Sequence, residues 1–337
     1  MSMTITTQHA IDFMTAIIKH NPKQAVHLSG PPGVGKTSII YQAAIAAGIP
    51  EDRILLLRPS LMDPVDLLGT PRILDDGSTA FAPPANLLAF RKGTGPGVII
   101  IDELPQSAVA MQNALGGLLL DQILGALEFD PQVARISTGN RVQDKAGAMR
   151  ILSQIGGRIV HLEIAASLDV WCRWAIGAGV DPLVIAFLRL RPNLLHDFDP
   201  DRVSNPTPRT WEMVARLPTQ LPEHIYAAGC AGLVGEAAAT EWVGTRKFLN
   251  QMPSIDGILA HPQDSHVPEE PVIKYAVASA LAQRVTHKTF DAAMQYMVRL
   301  PAEFQVLFCS LADSRDSTLL DGPTFSAWAI NKAHLMF

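Results

Sequence analysis

Short apolar runs alternate with stretches of helical character through the first half of the chain. The runs cover residues 25–29, 53–58, 97–102, 133–138 and 158–164, and three of them are dense in Val, Ile and Leu with few polar breaks. That pattern is typical of parallel strands covered on both faces. The alternation of strands and helices predicts a doubly wound α/β domain with right-handed crossovers.

The second half of the chain is predicted to be all-helical. Segments 167–176 and 182–190 have helical character, and another helix is expected to begin at Thr207 and Pro208. Thr is a good N-cap and Pro suits the first helical position, so Arg209 falls in the first turn. Other apolar residues recur at helical spacing. They are Ile273, Val277, Ala280 and Leu281, then Phe290, Ala293, Met294 and Met297, and then Phe304, Leu307, Phe308 and Leu311.

A segment rich in Pro, Asp and His over residues 252–271 is expected to be a loop that divides the helical half. We therefore predict three regions. They are an αβα domain over 1–166, a small helical domain over 167–251, and a loop with a helical C-terminal extension over 252–337.

Composition and charge exclude several classes of protein. Of the 337 residues 48% are hydrophobic and 18% are charged, which is enough apolar material for a sizeable core. The net charge of −5 argues against a protein that coats nucleic acid, because phosphate contacts need Lys and Arg. The three cysteines, Cys172, Cys230 and Cys309, are far apart and form no CxxC. This disfavours a disulfide framework and a zinc cluster, and fits a reducing compartment.

Targeting signals are not expected either. The first ten residues lack a basic start followed by an apolar core, so they do not predict a signal peptide. No run of apolar residues approaches the length that a membrane span needs. We expect a soluble, cytoplasmic protein without membrane contact.

The most specific motif follows the first apolar run. Residues 30–37 match GxxxxGK[ST] in full, between a predicted strand and a predicted helix over 38–47. Glycines let successive N–H groups face phosphate oxygens, and the helix N-terminus adds a favourable dipole. We expect the Lys36 side chain to reach the β- and γ-phosphates and the Thr37 hydroxyl to ligate Mg²⁺. The candidate phosphate-binding residues are Gly30, Pro31, Pro32, Gly33, Val34, Gly35, Lys36, Thr37 and Ser38.

Two further strands end in polar residues that suit nucleotide hydrolysis. Asp102 and Glu103 follow the apolar run Val98 to Ile101. We expect Asp102 to hold the Mg²⁺ shell and Glu103 to activate the attacking water. Asn140 follows the run at 133–138, and it would hold the attacking water near the γ-phosphate if that strand lies between the other two.

In this order and spacing the three elements resemble the AAA+ ATPases, over roughly residues 1–215. The resemblance implies a P-loop AAA+ αβα parallel-sheet domain, followed by an all-helical lid and a helical extension. It implies an enzyme that hydrolyses ATP with Mg²⁺. It also implies a ring-shaped homo-oligomer with nucleotide at the subunit interfaces.

Within AAA+ the chain is most similar to the MoxR group. The similarity rests on Leu67 to Pro71, Ala82 to Leu88, Asp102 to Pro105 and Gln112 to Leu115. That group carries an insert, here residues 62–84, and forms hexamers. Residues 72–81 are expected to form a hairpin around an Asp-Gly turn, either facing the ring pore or lying on the surface. MoxR relatives act on partner proteins, commonly ones with a von Willebrand factor A domain.

The resemblance also nominates two arginines. Arg158 stands where the family has its arginine finger, which reaches the γ-phosphate on a neighbouring subunit, and Arg150 and Arg141 are alternatives. Arg209 stands in the sensor-2 motif of the lid, where it would touch the bound nucleotide.

The leading hypothesis is a MoxR-like ring ATPase that remodels a partner protein, in a chaperone-like role. One alternative is a DNA-acting AAA+ protein of the clamp-loader or helicase-loader type, which the net charge of −5 disfavours. The other alternative is a scaffold whose assembly is gated by nucleotide binding.

Overall fold

The computed structural model describes residues 4–144, 147 and 149–332. Two compact units divide the chain, Met1–Ala166 and Ser167–Phe337. The strands are β1 (Thr4–Ile5), β2 (Val26–Ser29), β3 (Ile54–Leu57), β4 (Thr70–Ile73), β5 (Thr79–Ala82), β6 (Gly97–Ile101), β7 (Ile123–Leu124), β8 (Leu127–Glu128), β9 (Val133–Gly139) and β10 (Val160–Ile164).

The helices of the first unit are α1 (Thr7–His20), α2 (Lys36–Ala46), α3 (Pro64–Leu68), α4 (Ala85–Leu88), α5 (Val109–Asp121) and α6 (Ser153–Gly156). Those of the second unit are α7 (Leu168–Gly177), α8 (Pro182–Leu190), α9 (Pro208–Ala215), α10 (Glu223–Val234), α11 (Glu236–Arg246), α12 (Ile255–Ala260), α13 (Pro271–Arg284), α14 (Phe290–Met297), α15 (Ala302–Arg315) and α16 (Pro323–Lys332).

The first unit is built on a parallel sheet with the strand order β1-β10-β2-β9-β6-β3. Successive residues of β6 point to opposite faces, as strand geometry requires. Val98 and Ile100 pack with α1 and α2, whereas Ile99 and Ile101 pack with α5. The predicted αβα architecture is therefore confirmed. All five predicted strands are present, and the two-residue strand β1 extends the sheet beside β10.

One residue of the central strand β9 is a fully buried arginine. The Arg135 guanidinium donates to the carbonyls of Leu118 and Leu119 at the C-terminal end of α5, and to those of Pro22 and Lys23. Burial lowers the pKa of Arg135 to about 10. Because the last carbonyls of a helix have no partner within the helix, Arg135 joins α5 to the turn before β2.

The predicted hairpin is present as β4 and β5, with Gly77 at its turn. Pro71 pairs with Phe81 and Ile73 with Thr79, so these four side chains share one face. Ile73 is 78% exposed and Phe81 is 47% exposed. The hairpin therefore presents apolar side chains to solvent.

Every described element of the second unit is helical, as predicted. Helix α9 begins at Pro208, and Thr207 caps it by accepting from the Thr210 amide. The expectation of a continuous loop over 252–271 is wrong, because α12 lies within it. Ser254 caps that helix, and it buries Ile255 and Ile258. No helix in the described part of the chain is long and apolar enough to cross a membrane.

Candidate functional site

The phosphate-loop segment connects β2 to α2 at the carboxyl edge of the sheet. Gly33 and Gly35 have φ values of 76° and 87°, which glycine adopts without a Cβ clash. Helix α2 begins at Lys36, two residues before the predicted start, and Ser38 lies exposed in its first turn. Residues 30–35 thus form a tight turn that ends at a helix N-terminus, the geometry that binds anions.

The Lys36 ammonium lies at the centre of this turn. It donates to the carbonyls of Gly30 at 2.8 Å and Pro31 at 3.0 Å, and to Asn140 Oδ1 at 2.8 Å. Strand β9 lies between β2 and β6, which is the condition on which the placement of Asn140 depended. Lys36 and Asn140 therefore meet although they are far apart in sequence.

The end of β9 approaches the segment after Glu103 very closely. A Cβ on Gly139 would lie 2.4 Å from Pro105 Cγ and 3.0 Å from His27 Cε1. Only glycine fits between these two rings without a shift of the backbone. The chain around Asn140 is thereby packed directly against the chain around Glu103.

Asp102 joins the phosphate loop to the same edge. Its Oδ1 accepts from Thr37 Oγ1 at 2.9 Å and from Thr138 Oγ1 at 2.6 Å. Arg58 Nε lies 3.9 Å from the other carboxylate oxygen. The hydroxyl of Thr37 and the carboxylate of Asp102 are thus brought together, and both are oxygen ligands that Mg²⁺ prefers.

Glu103 has a strained backbone and an exposed side chain. Its φ and ψ are 57° and 39°, a left-handed conformation that side chains rarely adopt. The Glu103 amide donates to Thr138 Oγ1 at 3.1 Å, and Ser60 Oγ donates to Glu103 Oε2 at 3.3 Å. Such strain persists where surrounding contacts hold it, and it is common at active sites.

A histidine lies buried beneath the loop. His27 Nδ1 is 2.9 Å from Ser137 Oγ, and its ring stacks edge-on with His161, with 5.7 Å between the ring centroids. Burial, with smaller contributions from the nearby His161 and Lys36, lowers the pKa of His27 to about 3. His27 is therefore neutral at physiological pH.

The four arginine candidates occupy different positions in the chain. Arg158 precedes β10, so it lies at the amino edge of the sheet, about 13 Å or more from the carboxyl edge. It is exposed, as is Arg150. Arg141 is paired with Asp144 and Glu163 of its own chain. Arg209 belongs to the second unit, is exposed in the first turn of α9, and has no side-chain partner among the described residues.

Sequence reasoning assigned no role to three residues of this cluster. Arg58 and Ser60 follow β3, and Thr138 lies in β9. The carboxyl ends of parallel strands share one edge, so polar residues just after each predicted strand could have been included. That rule would have found Arg58 and Ser60.

Metal-ligating groups and cysteines were the other candidates for reactive chemistry. Among the described residues no group of three or more His, Cys, Asp or Glu side chains could hold a metal ion. All three cysteines are buried, and burial raises the pKa of Cys172 to about 11 and of Cys309 to about 12. A raised pKa keeps the thiols of Cys172 and Cys309 protonated at neutral pH, and the thiolate is the nucleophilic form.

The known proteins that resemble this chain do so at low sequence identity and low TM-score. No family model and no curated protein match it. Among solved structures it is similar to NtrX from Brucella abortus in complex with ATP, at 13% identity and a TM-score of 0.40, over 100% of this chain and 70% of that chain. For the ADP complex the identity is 14% and the TM-score 0.34, over 99% and 70%. For a third NtrX structure the identity is 13% and the TM-score 0.36, over 94% of this chain and 63% of that chain. This chain therefore spans less than two thirds of the length of that NtrX structure. At this level of similarity no residue role is transferred.

Proposed function

We propose that this chain is a Mg²⁺-dependent ATP hydrolase of the AAA+ type, similar to the MoxR group. One observation carries the proposal: two side-chain hydrogen bonds from adjacent residues, Lys36 to Asn140 and Thr37 to Asp102, bring these four residues together at the carboxyl end of the sheet. Asp102 and Asn140 directly follow strands β6 and β9, and Lys36 and Thr37 are the first two residues of helix α2, which follows the phosphate loop. An ammonium, a carboxylate, a hydroxyl and an amide at a glycine-rich turn are the groups that phosphoryl transfer requires.

Each side chain at this site is proposed to have a distinct task. Lys36 binds the β- and γ-phosphates, and its present acceptors show that it reaches across the loop. The oxygens of Thr37 and Asp102 suit a Mg²⁺ ion, which when bound neutralises developing charge on the phosphates. Glu103 accepts the proton of the attacking water, and Asn140 orients that water.

Hydrolysis at this site requires a second copy of the chain. Arg158 lies at the opposite edge of the sheet, so it cannot complete the site of its own chain. Its exposure leaves it available to a neighbour's γ-phosphate in a ring, as the AAA+ resemblance implies. Arg209 is proposed to contact nucleotide from the helical lid. An arginine of this kind adds about 10³ to 10⁵ in rate.

The work done by hydrolysis is proposed to be the remodelling of a partner protein. The exposed Ile73 and Phe81 on one face of the hairpin support protein contact rather than nucleic-acid contact. The MoxR resemblance suggests a partner with a von Willebrand factor A domain.

The first experiment measures ATP binding and phosphate release by the purified chain. Lys36→Ala is expected to abolish both, because the ammonium is the group proposed to bind the β- and γ-phosphates. Lys92→Ala is the matched control, since Lys92 is an exposed lysine paired with Glu128. Equal binding by wild type and Lys36→Ala would show that the loop is not the nucleotide site.

The second experiment tests the contribution of the neighbouring subunit. Arg158→Ala and Glu103→Gln are each expected to lose turnover alone. Mixing them recovers activity, because an intact Glu103 can then face an intact Arg158 of another subunit. Arg150→Ala takes the place of Arg158→Ala in a parallel mixture. Two results together would rule out a shared site. They are a lack of recovery in both mixtures, and a wild-type turnover per subunit that does not change with protein concentration.

A further inference from the structure

The turn after Asn140 is closed by contacts between Arg141 and one carboxylate, that of Asp144. Arg141 donates to Asp144 through Nη2 at 2.7 Å and through Nε at 3.0 Å, and its amide donates to the same carboxylate at 3.2 Å. The Asp144 amide returns a bond to the Arg141 carbonyl at 3.1 Å. The residues from Arg141 to Asp144 therefore form a self-locked turn.

The same guanidinium reaches a second strand. Arg141 Nη1 donates to Glu163 Oε1 at 3.2 Å. Glu163 lies on β10, whereas Arg141 follows β9, and β2 lies between those two strands. Neighbouring strands are about 4.8 Å apart, so the Arg141 and Glu163 side chains together bridge about 10 Å between β9 and β10. It crosses the point where β2 delivers the phosphate loop, because Ser29 is in register with Glu163.

The contact is well shielded from water. The side chains of Asp144, Glu163 and Arg141 are 7%, 16% and 27% exposed. The hydrogen bonds that Arg141 donates to Asp144 raise the pKa of Arg141, and burial only partly opposes them. A fork-shaped guanidinium held by two shielded carboxylates is a rigid connection.

This connection immobilises Arg141, which is the neighbour of the catalytic candidate Asn140. Asn140 directly precedes Arg141, and its Oδ1 lies 2.8 Å from Lys36 Nζ. On the other side of Asn140, Gly139 is packed against Pro105, and its carbonyl accepts from the Gly30 amide at 3.3 Å. Asn140 is thus fixed from both sides, by backbone packing before it and by the arginine after it.

We propose that Arg141 is a positioning residue for ATP hydrolysis, which holds the Asn140 side chain in place by strapping the end of β9 to Glu163 across the base of the phosphate loop. This inference rests on the proposed function. It also removes Arg141 from the candidates for a finger that acts on another subunit, since both carboxylate partners belong to its own chain. Because Asn140 orients water rather than binding phosphate, loss of the strap lowers kcat and leaves KM nearly unchanged.

The test is a double-mutant cycle on steady-state ATP hydrolysis, with Asn140→Ala, Arg141→Ala and the double variant. Misplacement of a catalytic group by about 1 Å costs about 10²-fold in rate, so each single variant is expected to lose about 10- to 100-fold in kcat. The double variant is expected to lose no more than Asn140→Ala alone, because Arg141 acts only through Asn140. Arg202→Ala is the matched control, since Arg202 also pairs with two carboxylates, Asp197 and Asp199.

Three results would count against the inference. Losses that multiply in the double variant, or a normal kcat in Arg141→Ala, would show that Arg141 does not act through Asn140. A rise in KM with unchanged kcat would show that it serves binding instead. If Arg141→Ala does not fold, Glu163→Gln replaces it in the same cycle, since it removes only the charge of the distant partner. A wild-type chain without turnover overturns the proposed function and this inference together, whereas turnover with multiplicative losses overturns this inference alone.

Discussion

The buried His27 should make the first unit unstable in mild acid. Its pKa is about 3 in the folded chain, against an ordinary value of 6.5 for histidine. Between these values the unfolded chain holds the proton and the folded chain does not, so stability falls as the pH falls. At pH 5 the difference of about 1.5 pH units from the unfolded pKa corresponds to a loss of about 2 kcal/mol.

The assay must report on the first unit alone. All five tryptophans lie between residues 171 and 328, in the second unit. Their fluorescence therefore reports the unfolding of the second unit and not of the first. Amide hydrogen exchange in β2 and β9, corrected for the intrinsic rate, gives the free energy of opening at pH 7.5 and at pH 5. We expect wild type to lose about 2 kcal/mol more than His27→Gln between these two values.

The control is His20→Gln, because His20 is exposed at the end of α1. It should keep the full loss of the wild type. His27→Gln is expected to be less stable than wild type at pH 7.5, yet to show a flatter dependence on pH. An equal loss in wild type and His27→Gln would refute the reasoning, since it would mean that His27 takes up its proton equally in both states.

Three other substitutions have outcomes that follow from the contacts of the substituted residue. Gly139→Ala places a methyl group about 1 Å too close to the Pro105 ring, so we expect a loss of about 1–3 kcal/mol in thermal unfolding and a fall in ATP turnover. Ser60→Ala removes the hydroxyl that contacts Glu103, so kcat should fall several-fold at unchanged KM in a steady-state assay. Arg135→Met leaves buried carbonyls without donors, and hydrogen exchange should show a loss of about 3 kcal/mol or more.

Each of these has a control elsewhere in the chain. Gly157→Ala should be tolerated, because the nearest atom to its Cβ is Ser153 O at 3.5 Å. Ser78→Ala changes an exposed serine at the hairpin turn and should leave kcat unchanged. Arg216→Met breaks only an exposed ion pair with Glu212. If a test variant behaved like its control, the contact that we name for it would not have the expected effect on stability or turnover.

The strands and the phosphate loop were predictable because their signals are local. An uninterrupted run such as Val98 to Ile101 can only be buried, and a glycine-rich turn before Lys36 has few other uses. Strand β1 and the hairpin of β7 and β8 were missed because two-residue strands carry no periodicity. Helix α12 was missed because only six residues form it, inside a segment rich in Pro and Asp.

Contacts that depend on strand order could not be predicted in the same way. The bond from Ser60 to Glu103 exists because β3 lies beside β6, and the strap from Arg141 to Glu163 exists because β2 separates β9 and β10. Arg135 was unpredictable for another reason. Its acceptors are backbone carbonyls, which leave no mark in the sequence.

The most direct test of the account compares wild type with Glu103→Gln for ATP affinity and for phosphate release in the same preparation. The account predicts nearly equal affinity, because Glu103 lies beyond the residues that bind phosphate, with turnover lower by about 10²-fold or more. A Glu103→Gln chain that hydrolyses ATP at the wild-type rate, or a wild-type chain that binds no ATP, would contradict it.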